Sequence, residues 1–148
     1  MNKAGGYYFE ELSVGMSAEF AKTITEADIL LFGAATGDNQ ALHFDEEYAA
    51  KTQFKGRIAH GILSAGVISA ALGNRLPGPG AVYVAQTLRF KAPVRAGDTL
   101  HAKVTIKELL PEKKRVVLDT VASVKDTTVL VGEATMMVPG KADTEALS

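Results

Sequence analysis

From Ile58 to Leu72 the chain carries no Asp, Glu, Lys or Arg, and His60 is the only titratable side chain in those 15 residues. A helix that is apolar on every side must be buried on every side. Fifteen residues are too few to span a bilayer. The stretch is rich in small residues (Gly61, Ser64, Ala65, Gly66, Ser69, Ala70, Ala71), which let another layer approach its backbone closely. The pattern predicts a buried helix from about His60 to Leu72, wrapped by a sheet. Gly73-Asn74 suits its C-terminal cap, and Leu76-Pro77-Gly78-Pro79-Gly80 is a firm break.

Beyond the break the hydrophobic period changes. Ala81 to Phe90 is rich in Val, Tyr and Thr. In Leu100-His101-Ala102-Lys103-Val104-Thr105-Ile106-Lys107 apolar and polar residues alternate without error, so one face is buried and the other wet. Arg115 to Val124 and Thr128 to Val138 read as two more strands. The turns between them are too short for parallel crossovers, so a four-stranded antiparallel meander is expected. One long helix against a curled antiparallel sheet is an α+β layout. The 148 residues form one domain by length, and Lys141 to Ser148 reads as a frayed tail.

Upstream of the helix, Ser17 to Ile24 suits a strand. Thr25-Glu26-Ala27-Asp28 has the form of a capping box, and Gly37 can end the helix that follows. Asp45 caps a second short helix over Glu46 to Ala50. Between these lie Asp38 and His43, five residues apart in a loop-like segment. Their placement near the start of the buried helix suits an acid–base pair. Asp38 after Gly37 equally suits an Asx turn, and His43 a loop histidine.

Composition narrows the function. A formal net charge of −1 supplies no long-range field for nucleic acid or an anionic membrane surface. The absence of cysteine excludes a thiolate nucleophile, disulfides and the usual structural zinc sites. No histidine or acidic cluster with metal-ligand spacing is visible, so no metal is expected. The N-terminus has no apolar secretory segment, and the cytoplasm is the expected compartment.

Three blocks, in order, carry a resemblance. They are Gly37-Asp38-(x4)-His43 with Tyr48-Ala49, then Gly56-Arg57-Ile58-Ala59-His60-Gly61, then Arg89-Phe90-Lys91-Ala92-Pro93-Val94-(x2)-Gly97-Asp98-Thr99-Leu100. Together they resemble the MaoC-like hydratases of the hot-dog fold, in particular the (R)-specific enoyl-CoA hydratases. The resemblance implies a hot-dog domain over residues 1–148 that pairs with a second copy, as a dimer or a multiple of dimers. It implies reversible addition of water to trans-2-enoyl-CoA, or to a substrate on acyl carrier protein, with no cofactor beyond the coenzyme A that the substrate carries. Asp38 and His43 match the family's catalytic pair, and Gly61 the glycine whose backbone N–H contacts the thioester oxygen. Ser69 and Leu72 match positions lining the acyl pocket. One departure stands out: the family has Asn-Pro where this chain has Gln40-Ala41, so the loop lacks the fixed φ of proline.

Hydration needs a water deprotonated at C3, a proton delivered to C2, and charge stabilised on the thioester oxygen. Asp38 as base, His43 as acid and the first N–H groups of the buried helix meet those needs. His60 is expected to bond local backbone, and His101 to lie on the wet strand face. Arg57, Arg89, Lys91 and Arg95 are candidates for the CoA phosphates, with solvated surface charge as their default role. Two other functions stay open: a hot-dog acyl-CoA thioesterase, which would place an acid on the central helix, and an acyl-CoA-binding scaffold.

Overall fold

The computed structural model describes residues 1–145. In chain order its elements are β1 (Ser17–Thr23), α1 (Glu26–Thr36), α2 (Ala41–Phe44), α3 (Glu46–Ala50), α4 (Gly61–Asn74), β2 (Val82–Gln86), β3 (Arg89–Phe90), β4 (Thr99–Leu110), β5 (Arg115–Val124), β6 (Thr127–Met137) and α5 (Lys141–Glu145). The six strands form one antiparallel sheet in the order β1-β4-β5-β6-β2, with β3 also paired to β6. The expected α+β class holds.

Local signals act as the sequence predicts. Thr25 Oγ1 accepts from the Asp28 amide at 3.1 Å, and Asp28 Oδ2 accepts from the Thr25 amide at 2.9 Å, closing the capping box. Gly37 ends α1 at φ 80°, a conformation that costs glycine little. Asp45 Oδ1 accepts from the Tyr48 amide and starts α3. On β4 the alternation is reproduced: Leu100, Ala102, Val104 and Ile106 are buried, and His101, Lys103 and Lys107 face solvent. The last of the chain departs from expectation, because Lys141–Glu145 form a helical turn. Asp143 in that turn pairs with Lys114 at 2.8 Å. The remainder of the expected frayed tail, 146–148, lies outside the described residues.

The meander is only partly right. Strands β4, β5 and β6 are consecutive neighbours, but the Ala81–Phe90 segment pairs with β6 and not with β4. The near edge of β4 is already taken by β1, with Ser17 opposite Thr105 and Thr23 opposite Thr99. Residues 91–98 therefore cross the end of α4 instead of forming a hairpin. They are anchored by the Ala59 amide donating to the Val94 carbonyl at 2.6 Å. The segment is also kinked into two pieces at Thr87-Leu88. Gly132 on β6 backs onto that kink so closely that a Cβ there would lie 1.8 Å from the Thr87 carbonyl oxygen. The register is the same on both sides of the kink, with Gln86 opposite Ala134 and Arg89 opposite Val131, and it shifts by one earlier in β2, at a bulge between Tyr83 and Ala85.

Helix α4 lies on the concave face of the sheet. Ser64, Val67, Ile68, Ala71 and Leu72 are its buried residues. They join one core with Leu100, Val104, Ile106, Val116, Leu118 and Leu130. The expectation that α4 is buried on every side fails within a single chain. Ile62 is 56% exposed, and Gly61 and Gly66 are exposed with it. The sheet covers one side of the helix and leaves an apolar side open. That side faces β2, all of whose residues but Gln86 are exposed.

Candidate active site

Three segments meet at the N-terminus of α4. The first is the 37–40 loop with α2, which carries Asp38 and His43. The second is the 56–60 segment, held on one side by the Ile58 amide donating to the Leu42 carbonyl at 3.4 Å and on the other by Ala59 on Val94. The third is the 90–94 crossing. Gly33 lets α1 close on the first of these, since a Cβ there would meet Phe44 Cζ at 2.5 Å.

His43 is 6% exposed. Its Nδ1 lies 2.7 Å from the Ile58 carbonyl oxygen. A carbonyl only accepts, so Nδ1 carries the hydrogen and Nε2 is left to face the site. The Asp38 side chain is exposed and, among the described residues, takes no hydrogen bond from the protein, so it forms no Asx turn. A carboxylate oxygen of Asp38 and a ring nitrogen from each of His43 and His60 lie within 4.8 Å of one another. That spacing suits one water held between a carboxylate and an imidazole.

His60 is what sequence reading missed. It is 2% exposed, and its Nε2 lies 2.9 Å from the backbone carbonyl of Asp38, 22 residues away, not from local backbone. Its ring stacks on His43 with centroids 4.0 Å apart and planes at 29°. Phe32 and Phe44 pack against its other sides, at 4.6 and 5.6 Å. No ligand cluster was legible in the sequence because His60 is far from Asp38 and His43 along the chain; folding supplies one. Among the described residues, these three are the group that could hold a metal ion. Two of the four ring nitrogens, His43 Nδ1 and His60 Nε2, are committed to backbone carbonyls.

Gly61 is the first residue of α4; its amide and that of Ile62 have no acceptor within the helix, whereas the Leu63 and Ser64 amides donate to the His60 carbonyl at 3.1 and 3.3 Å. Phe90 lies against it: a Cβ at this position would come within 2.7 Å of Phe90 Cε1. A cavity of about 440 Å³ opens here, lined by Ile58, Gly61, Ser64, Phe90, Lys91 and Val94 among others. A second, of about 390 Å³, lies between α4 and β2 and is lined by Ile62, Ser69, Tyr83 and Val84 among others. Both volumes suit small-molecule ligands. Asp38 and His43 line neither cavity; Ile58, bonded to His43, is their link to the first. Ser69 lines the second, whereas Leu72 has no exposed surface and lies in the core, away from both cavity walls.

The four basic candidates divide. Arg57 is bound to Glu26 of α1, to Glu46 of α3 at 3.1 Å and to the His43 carbonyl at 3.5 Å. Burial weakens its hold on the proton, but the Glu26 and Glu46 carboxylates more than reverse this, so its pKa stands above the ordinary arginine value. Arg95 donates to the carbonyls of Arg57 and Phe54. Both therefore brace the site's scaffold and are not solvated surface charges. Arg89 and Lys91 remain exposed, and Lys91 lines the first cavity.

A family model described as the MaoC like domain matches residues 11–130. The chain belongs to the MaoC-like family. Among its relatives, the (R)-specific enoyl-CoA hydratase of Rhodospirillum rubrum is 56% identical over 135 residues, which is 91% of this chain and 94% of the relative. The 3-hydroxybutyryl-CoA dehydratase of Methylorubrum extorquens is 50% identical over 141 residues, 95% of this chain and 90% of that one. Among solved structures, an R-hydratase of Pseudomonas aeruginosa in unliganded form superposes with a TM-score of 0.85 at 46% identity, covering 92% of this MaoC-like chain and 88% of the other. No helix among the described residues is long and apolar enough to cross a membrane.

The position of Leu72 generates a prediction. Leu72→Ala leaves a void in the core and should cost about 2–5 kcal/mol. The ratio of kcat/KM for eight- against four-carbon substrates should stay unchanged, because no cavity wall is lost. Melting temperature and that ratio, measured together, check this; a changed ratio with an unchanged melting temperature would put Leu72 in the pocket.

Proposed function

We propose that this MaoC-like protein adds water reversibly to trans-2-enoyl-CoA, giving (R)-3-hydroxyacyl-CoA, with Asp38 and His43 as its acid–base pair. The observation that carries the reading is the convergence of the Asp38 carboxylate and the buried His43 ring beside the free first amides of α4. The names of its relatives supply the substrate class.

In this reading the thioester carbonyl lies at Gly61. Asp38 takes a proton from the bound water, and the water oxygen bonds to C3. The C2=C3 electron pair moves to form an enolate, whose oxygen the Gly61 N–H holds at the positive end of α4. The proton taken from the water passes from Asp38 to the bare Nε2 of His43, and His43 delivers it to C2, which returns both groups to their starting state. The acyl chain is assigned to the apolar cavity beside Ser69, and Lys91 is the cation nearest the first cavity for the CoA phosphates. A chain without cysteine suits the cytoplasm, the compartment we assign.

The reading includes a second copy. Strand β2 ends the sheet with a free edge, and its sequence Val82-Tyr83-Val84-Ala85-Gln86 has no charge to discourage pairing. The opposite edge, β1, carries Glu19 and Lys22. A partner on β2 would also cover Ile62 and close the cavity beside Ser69.

Incubation with crotonyl-CoA tests the activity. Loss of the enoyl chromophore without release of free thiol is expected, it should survive dialysis against a chelator, and Asp38→Asn should slow it by roughly 10²–10⁴-fold. Thiol release would instead mean a thioesterase, and tight binding with neither change a scaffold. Light scattering at assay concentration should give a dimer or a multiple of it; a fully active monomer would contradict the pairing.

A further inference from the structure

We infer that His60 is a positioning residue for the hydration, fixing Asp38 and His43 to each other and to the helix start that receives the thioester oxygen. The inference rests on the reading of Asp38 and His43 given above.

Three contacts converge on this one ring. The first is its Nε2–H on the Asp38 carbonyl at 2.9 Å, which fixes the backbone from which the carboxylate projects. The second is its face on the His43 ring at 4.0 Å. His43 is thereby held between a hydrogen bond to Ile58 at its edge and a ring at its face, which sets the direction of Nε2. The third is covalent: His60 is the N-cap residue of α4, so its backbone leads directly into Gly61. At 2% exposure the ring has no room to turn. Its other nitrogen, Nδ1, is buried without a protein partner. Surface chemistry does not explain an unpaired buried nitrogen, whereas a ring chosen for the geometry of its Nε2 does.

The loop needs such an anchor. Gln40-Ala41 lie just before His43 with no proline to stiffen the approach. The Asp38 side chain makes no bond to the protein among the described residues. The His60 bond, with the Asp38 amide on Thr36 Oγ1 at 3.2 Å, therefore does much of the work of fixing residue 38. Misplacing a catalytic group by on the order of 1 Å costs about 10²-fold in rate.

The backbone also offers a separate route to the same rigidity. Ala41 is the first residue of α2, where proline is favoured, and Gln40 at ψ 135° already has the extended conformation that a following proline requires.

The test compares His60→Gln with His60→Asn. The glutamine amide nitrogen reaches as far as the ring's Nε2, and the asparagine nitrogen stops short of it. With crotonyl-CoA, His60→Asn should lose roughly 10–100-fold in kcat with KM within about twofold, and His60→Gln should recover most of the loss. Adding Ala41→Pro to His60→Asn should restore part of kcat without touching residue 60. Should His60→Asn not fold by circular dichroism, His60→Phe takes its place: it keeps the ring, lacks the donor and carries the same expectation. Equal losses in the Gln and Asn variants, or wild-type kcat in the Asn variant, would overturn the inference. Asp38→Asn is run alongside: if it keeps full activity, the acid–base pair itself is wrong, and that outcome is distinct from a failure of His60 alone.

Discussion

An uncharged helix must lie on something apolar, and the rest of this molecule follows from how α4 meets that need. Ser64, Val67, Ile68, Ala71 and Leu72 seat it on the concave face of the sheet, against the inward rows of β4 and β5. That seat fixes where the helix begins. Its unpaired first amides emerge at the one end where the 37–44 loop, the 56–60 segment and the 90–94 crossing converge. In the proposed reading, the positive end of the helix lies beside the acid–base pair and holds the enolate oxygen.

The same seat leaves α4 half uncovered. Its outer side and β2 together form an apolar, uncharged face. In the proposed reading a second copy covers that face. The cavity beside Ser69 has one wall of helix and one of edge strand, and completing it by a second copy would join assembly to substrate binding.

Much of this was legible in the sequence. The capping box at Thr25, the stop at Gly37 and the cap at Asp45 are local chemistry, read from neighbours a few residues apart. The alternation along β4 is the same kind of signal. The pairing of 82–90 with β6 was not legible, because it depends on β1 having taken the edge of β4, a competition between strands far apart in sequence. The kink at Thr87 depends on Gly132 in the same way. At the site, Asp38 and His43 were singled out from their spacing and their likeness to a family, and Gly61 from that likeness, and the fold brings all three to one end of α4. His60 was misread as locally bonded because nothing near it in the chain announces a bond 22 residues upstream. Arg57 and Arg95 looked like free surface cations for the same reason. Leu72 was expected at the acyl pocket from family position; helical spacing put it on the same side as Ser69, but that side spans the boundary between cavity and core.

The central claim is that Asp38 and His43 act as one unit on one water. A double-mutant cycle tests it most directly: kcat/KM for crotonyl-CoA in wild type, Asp38→Asn, His43→Ala and the double variant. Groups that share one task are far from additive, so the double variant should be about as slow as the slower single one. Losses that multiply, with each single variant folded, would mean that the two residues act independently and that no shared water joins them.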